Sequence, residues 1–489
     1  RAEHLMNDIV ALDALALSRS IRAREVSCRE VMRAYLERIA RVNPDLNAIV
    51  SMKPEQSLLA QADACDAMLA RGEWLGWMHG MPQAPKDLAQ TRGLRTTWGS
   101  PIFRDFVPDQ DAAIVERVRA AGAILVGKTN VPEFGLGSQT FNEVFGPTLN
   151  PWNPSKTAGG SSGGAAAGLA ARMLPVADGS DMMGSLRNPA AFCNVYGFRP
   201  SRGRVPNTLA PDAFSQQLAT DGPMGRSVAD LAMLLATQAG YDARAPLSLG
   251  DDPSVFAQPL ERDFSGARIG WLGDLGGHLP FEPGVLELCR NALKMFETLG
   301  CRVDEARVDF APDRMWRTWL AWRRFLVSGS LVAHYQDPRR RPLLKPEAVW
   351  EIEQGLATSA LDVHDASVDR TALYRAVLAA FEHFDFLVLP TAQVFPFDVT
   401  QRWPKSIAGR EMDTYHRWME VVILPTLTGC PALSVPAGFA SEGEAAGLPM
   451  GIQIVGRPRD DLSVLQLGHA WDRATDWARR VPPEPPQAA

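Results

Sequence analysis

The sequence predicts an α/β fold in one catalytic unit, and three observations carry that expectation. Between Arg268 and Val308 a strand-like run, a helical stretch and a second strand-like run alternate, the order that favours parallel pairing across a helical crossover. Two further apolar runs, Phe386–Pro390 and Pro449–Gly456, are short and bounded by turn residues, as strands are. No segment repeats and no long linker divides the 489 residues. One domain is therefore expected over residues 1–480, with a helical substrate-pocket region at 310–420 inside it. The tail at 481–489 carries four prolines and is expected to be disordered.

Composition narrows the function classes. Hydrophobic residues make up 46% and charged residues 22% of the chain, the balance of an ordinary globular protein. The net charge of −6 and the lack of a basic tract argue against a nucleic-acid partner; Arg339-Arg340-Arg341 is short and flanked by prolines. No apolar run reaches the length of a membrane helix, and the N-terminus has no signal-peptide pattern. The six cysteines are scattered without a CxxC pair, and the eight histidines show no ligand spacing. The expectation is a cytoplasmic protein with reduced thiols and neither metal nor cofactor.

Taken in order, the chain opens helically. Ser27 and Glu30 form a capping-box pattern, and Val31, Ala34, Tyr35 and Ile39 recur at helical spacing. Asn43-Pro44 is expected to stop that helix, and Leu46–Met52 reads as a strand. Pro54–Leu69 is a second helix. Lys86 follows a proline-fixed apolar segment, where an isolated lysine is ordinarily a surface residue. Asp111–Ala121 reads as a helix and Gly122–Gly127 as a buried strand. The stretch Gly122–Thr129 also satisfies the phosphate-loop expression. Its interior is apolar and β-branched, a helix precedes it and Asn130-Val131-Pro132 follows, so nucleotide binding is rejected.

The stretch from Ala158 to Arg187 holds two glycine-framed serine clusters, Ser161-Ser162 and Ser185, separated by small helix formers and a short apolar piece. Glycines let backbone approach a substrate and leave N–H groups free to face an anion. A nucleophile and a relay can be built from such a pair, and the residues alone leave the assignment open. Gly159–Gly163 satisfies G-x-S-x-G, but Pro154–Ala158 before it does not read as the apolar strand a nucleophile elbow requires. Gly197–Pro206 is expected to be irregular, and Ser227 to cap a helix through Ala239. Trp316, Trp319 and Trp322 lie at helical spacing, ordinarily a packing pattern, alternatively the wall of an apolar pocket. Cys430–Gly438, strand Pro449–Gly456 and helix Asp461–Arg473 close the fold.

Lys86 after a proline, the GGSSGG of 159–164 and the GSDMMGSLR of 179–187 together resemble the amidase signature family. GAILVGKTN (122–130), NPWN (150–153) and GLPMGIQIVG (447–456) extend the resemblance over residues 25–475. Within the family the chain is similar to bacterial amidases such as 6-aminohexanoate cyclic dimer hydrolase. The resemblance implies a central twisted mixed sheet covered by helices on both faces, no cofactor, a small-molecule amide as substrate, and a homodimer as a common state. It also implies a Ser–cis-Ser–Lys triad. Lys86 is the base, Ser161 the relay with a cis peptide bond to Gly160, and Ser185 the nucleophile, 75 and 24 residues apart in turn.

The residue types suit that chemistry. A serine hydroxyl needs a base, and a lysine serves only when neutral, which burial achieves by lowering its pKa. The N–H groups of Met182, Met183, Gly184 and Ser185 are the implied oxyanion hole. Met183 stands where the family usually has glycine, so either its φ is negative or its side chain narrows the pocket. Asp181 and Arg187 are expected to brace the loop, and Ser162 to assist the lysine. The expected activity is hydrolysis of apolar, aryl or linear and cyclic amides through an acyl-enzyme. The alternatives are a glutaminase-type component of a tRNA-dependent amidotransferase, an esterase or carbamate hydrolase on the same site, an α/β-hydrolase using Ser161 or Ser162 with His334 or His469, and a non-catalytic binding protein.

Overall fold

Eight strands, most of them buried, build the centre of the molecule. The computed structural model describes residues 8–484. The strands are β1 (Ala177–Asp181), β2 (Tyr196–Arg199), β3 (Thr220–Gly225), β4 (Arg268–Trp271), β5 (Arg302–Glu305), β6 (Phe386–Pro390), β7 (Ala432–Phe439) and β8 (Pro449–Val455). They lie in the order β5-β4-β6-β8-β7-β2-β3-β1. β4 runs parallel to β5 and β6, and every other adjacent pair is antiparallel. The fold is thus α/β with a mixed central sheet, and the parallel pairing read from the alternation at 268–308 is present.

Helices that matter for the site are α1 (Cys28–Leu46), α2 (Glu55–Ala70), α3 (Gly163–Ala170), α4 (Arg187–Cys193), α5 (Pro312–Gln336), α6 (Pro346–Leu356), α7 (Ala360–His383) and α8 (Asp461–Ala474). Both sheet faces are covered. α4 packs where Gly451 and Gln453 project, its Ala191 Cβ filling the space a Gly451 side chain would need. α8 packs on the opposite face, where Gly468 meets Leu433. A second apolar core joins α1, α2 and α3, so the serine-bearing stretch lies between two cores.

Several local expectations are corrected. α1 runs through Pro44 to Leu46 and ends at Asn47, whose left-handed φ of 51° makes the stop; proline so close to the C-terminal end leaves the ladder before it intact. The strand expected at 46–52 shrinks to Ile49–Val50, paired with Lys128–Thr129. Tyr196–Arg199 is a fully buried sheet strand where irregular chain was expected. Its arginine is accommodated because Arg199 pairs with Asp181. Asn153–Thr157 also proves to be a strand, but it pairs with Leu149–Asn150, outside the central sheet. At the C-terminus Glu484 pairs with Arg38 at 2.6 Å; the rest of the expected tail, 485–489, lies outside the described residues.

Among the described residues no helix is long and apolar enough to cross a membrane, and all six cysteines are free and buried.

Candidate active site

Strand pairing and burial set the lysine. Pro82–Gln83 pairs with Ile124–Leu125, and the pairing resumes between Lys86 and Thr129, with Lys86 in the interior, 1% exposed. Its own N–H donates to Asp178 Oδ2 at 3.0 Å, fastening the segment to β1. Its Nζ donates to Ser161 Oγ and Ser162 Oγ, both at 2.8 Å, and to Ser180 Oγ at 2.9 Å. Burial lowers the Lys86 pKa to about 7, although Asp221, Asp181 and Asp178 pull it upward. A buried lysine that is substantially neutral near pH 7 can accept a proton.

The serine pair is placed by close backbone contact. A Cβ on Gly164 would stand 2.2 Å from the Asn130 nitrogen, so only glycine lets the start of α3 approach this closely. The Gly160–Ser161 peptide bond is cis. Ser162 occupies the N-cap position of α3, yet its side chain makes no cap bond, because the hydroxyl faces Lys86 instead.

The loop between β1 and α4 is braced by charge. Asp181 accepts from the N–H groups of Gly184 at 2.9 Å and Leu186 at 3.2 Å and from Arg187 at 3.0 Å. Burial opposes its ionisation, but Arg187 and Arg199 hold the carboxyl well below the usual range. Arg187 further donates to Val422 O, Gln453 Oε1 and Thr426 Oγ1. Gly184 has a φ of +82°, and a side chain there would strike Val422. The Gly184 N–H is committed to Asp181, whereas the N–H groups of Met182, Met183 and Ser185 have no acceptor among the described residues. Met183 is not in the left-handed region, so the first of the two possibilities holds, and the residue borders the cavity.

Ser161, Ser180 and Ser185 open onto one cavity of about 440 Å³. Trp98, Phe103 and Phe134 form an aromatic wall, and α5 contributes Leu326, Val327 and Leu331. Trp316, Trp319 and Trp322 lie instead in the main core, nearer the N-terminal end of the same helix. Arg323 reaches the cavity but is held by Glu351 at 2.6 Å and Tyr415 at 2.8 Å. Neither histidine considered as a serine base is bonded to a serine here: His334 meets Arg340 and stacks on Phe134, and His469 faces Glu261. Lys128, the lysine of the phosphate-loop match, is buried and donates to Ala89 O, Thr91 and Thr96.

Three residues of this cluster escaped the sequence reading: Ser180, Asp178 and Asp221. Ser180 carried a signal, since it sits in the same glycine-flanked run as Ser185. Asp178 and Asp221 carried none, because Asp178 meets Lys86 only where the Lys86 segment docks on β1 and Asp221 only through the pairing of β1 with β3.

The family model for Amidase matches residues 30–465. The chain therefore belongs to the amidase signature family and is a hydrolase acting on C–N bonds. It is 34% identical to a glutamyl-tRNA(Gln) amidotransferase subunit of Thermosynechococcus vestitus, over 95% of this chain and 98% of that one. It is 33% identical to an acylamidase of Rhodococcus erythropolis, over 96% and 97%. Among solved structures, a bacterial aryl acylamidase of the amidase signature family superposes with a TM-score of 0.87 at 30% identity, over 96% and 97%. The 6-aminohexanoate cyclic dimer hydrolase complexed with substrate does so with a TM-score of 0.83 at 25% identity, over 97% and 99%.

Proposed function

We propose that the protein is an amidase that cleaves small apolar or aryl amides through an acyl-enzyme, with Ser185 as nucleophile, Ser161 as relay and Lys86 as base. The observation that carries this reading is the buried Lys86 Nζ bonded to Ser161 Oγ at 2.8 Å beneath an aromatic-walled cavity. Neutral Lys86 takes the proton of Ser161 as Ser161 takes that of Ser185, and Ser185 Oγ attacks the carbonyl carbon. The N–H groups of Met182, Met183 and Ser185 receive the oxyanion; one such donor is worth about 2.7–4 kcal/mol. Ser161 then returns the proton to the leaving amine, and water hydrolyses the ester by the reverse path.

The amidotransferase relatives favour glutamine as an alternative substrate. Glutamine carries an α-carboxylate that needs a free cation, and the arginine of this cavity is already paired with Glu351. Residues 1–480 are taken to act as one domain, and the free buried thiols support a cytoplasmic setting.

A fluorophosphonate probe followed by mass spectrometry tests the assignment, together with assays on acyl anilides and glutamine. The expected adduct is on Ser185, with anilide hydrolysis lost in Ser185→Ala. An adduct on Ser161 or Ser162, with Ser185→Ala still active, overturns it.

A further inference from the structure

One side of the cavity is not apolar. Asp221 on β3 stands directly across from Ser180 on β1 in the antiparallel register, so the two side chains emerge on the same face of the sheet. Both line the cavity, and Ser180 Oγ also accepts from Lys86 Nζ. Among the described residues the Asp221 carboxyl has no hydrogen-bond partner, and the charged groups it faces are Asp178 and Lys86. Both are already engaged, Asp178 by the Lys86 N–H and Gln83, Lys86 by three serine hydroxyls. Burial, reinforced by Asp178 and opposed by Lys86, pushes the Asp221 carboxyl up to about 7. Gln216, also lining the cavity, has a buried side-chain oxygen without a partner.

A ligand that supplies N–H groups would satisfy both the buried Gln216 oxygen and the Asp221 carboxyl that borders the cavity. We propose that Asp221, assisted by Gln216, is a subsite for an ammonium group on the substrate, so that the preferred substrates are aryl amides bearing a primary amine. This rests on the hydrolase reading above and narrows its substrate class. An entering ammonium is met by the carboxylate form of Asp221, while the aromatic wall takes the ring.

The test compares matched pairs: para-aminomethyl acetanilide with para-methyl acetanilide, and ω-aminohexananilide with hexananilide. The two pairs place the amine on the leaving group and on the acyl group. In at least one pair kcat/KM is expected to favour the amine by about tenfold or more, and Asp221→Asn to abolish that ratio. Hydrolysis without preference, or a preference that survives Asp221→Asn, overturns the subsite and leaves the hydrolase reading standing. So does an Asp221→Asn variant whose pH profile moves while the ratio does not, since Asp221 then only tunes Lys86. Failure of all four substrates together with no label on Ser185 is a failure of the hydrolase reading itself. A measurement on the unaltered enzyme needs neither turnover nor a variant: benzylammonium is expected to protect Ser185 from the fluorophosphonate at about tenfold lower concentration than benzyl alcohol. Equal protection overturns the subsite.

Discussion

In the proposed triad Lys86 is both buried and the base. Burial disfavours its charged form, three nearby carboxylates favour it, and the balance leaves the pKa at about 7. The proposed base works only when neutral, so kcat/KM on a neutral anilide should rise as pH increases through about 7 and level above it. Initial rates across a pH series check this; a profile flat through that range contradicts it. Met183 is the second residue with a readable consequence. It is 3% exposed yet borders the cavity, so Met183→Ala should cost about 2 kcal/mol, the low end for a buried methionine because one side is already open. The same variant should turn over long or branched acyl anilides better relative to acetanilide. Urea denaturation and a substrate series measure the two effects.

At the scale of elements, the turn from β1 to α4 is held by a buried cluster, Asp181 with Arg187 and Arg199. Removing Arg187 leaves Asp181 with Arg199 as its remaining partner and takes a donor from Val422 O, Gln453 Oε1 and Thr426 Oγ1, a loss on the order of 3 kcal/mol. Arg187→Met should therefore lower stability by that order and depress kcat more than KM, since the N–H groups proposed to receive the oxyanion lose their support. Denaturant unfolding and steady-state kinetics on one anilide read both. This element also marks where sequence reading ends. The glycine-framed serines, the capping box at Ser27 and the alternation at 268–308 are local patterns and were legible. The strand Tyr196–Arg199 was not, because its glycine and arginine read as loop until Asp181 is seen beside Arg199. Pro44 misled for the opposite reason: a local helix breaker is tolerated where the helix is about to end.

Across the whole molecule, the antiparallel pairing of β1 with β3 brings Asp221 to Ser180 and Lys86. Nothing in the local sequence of either strand announces that meeting. The mixed sheet came from the resemblance; its order, β5-β4-β6-β8-β7-β2-β3-β1, was not readable from residues. The braces of Arg187 carry a consequence for heredity. Lys86, Ser161 and Ser185 all fall within a span of the chain that could be copied in one piece. The arginine that shapes the loop beside Ser185, however, is clasped by Val422, Thr426 and Gln453. A gene fragment carrying only the reactive residues would leave that clasp behind. The proposed triad is therefore not a portable cassette: the loop beside Ser185 takes its brace from the far end of the chain.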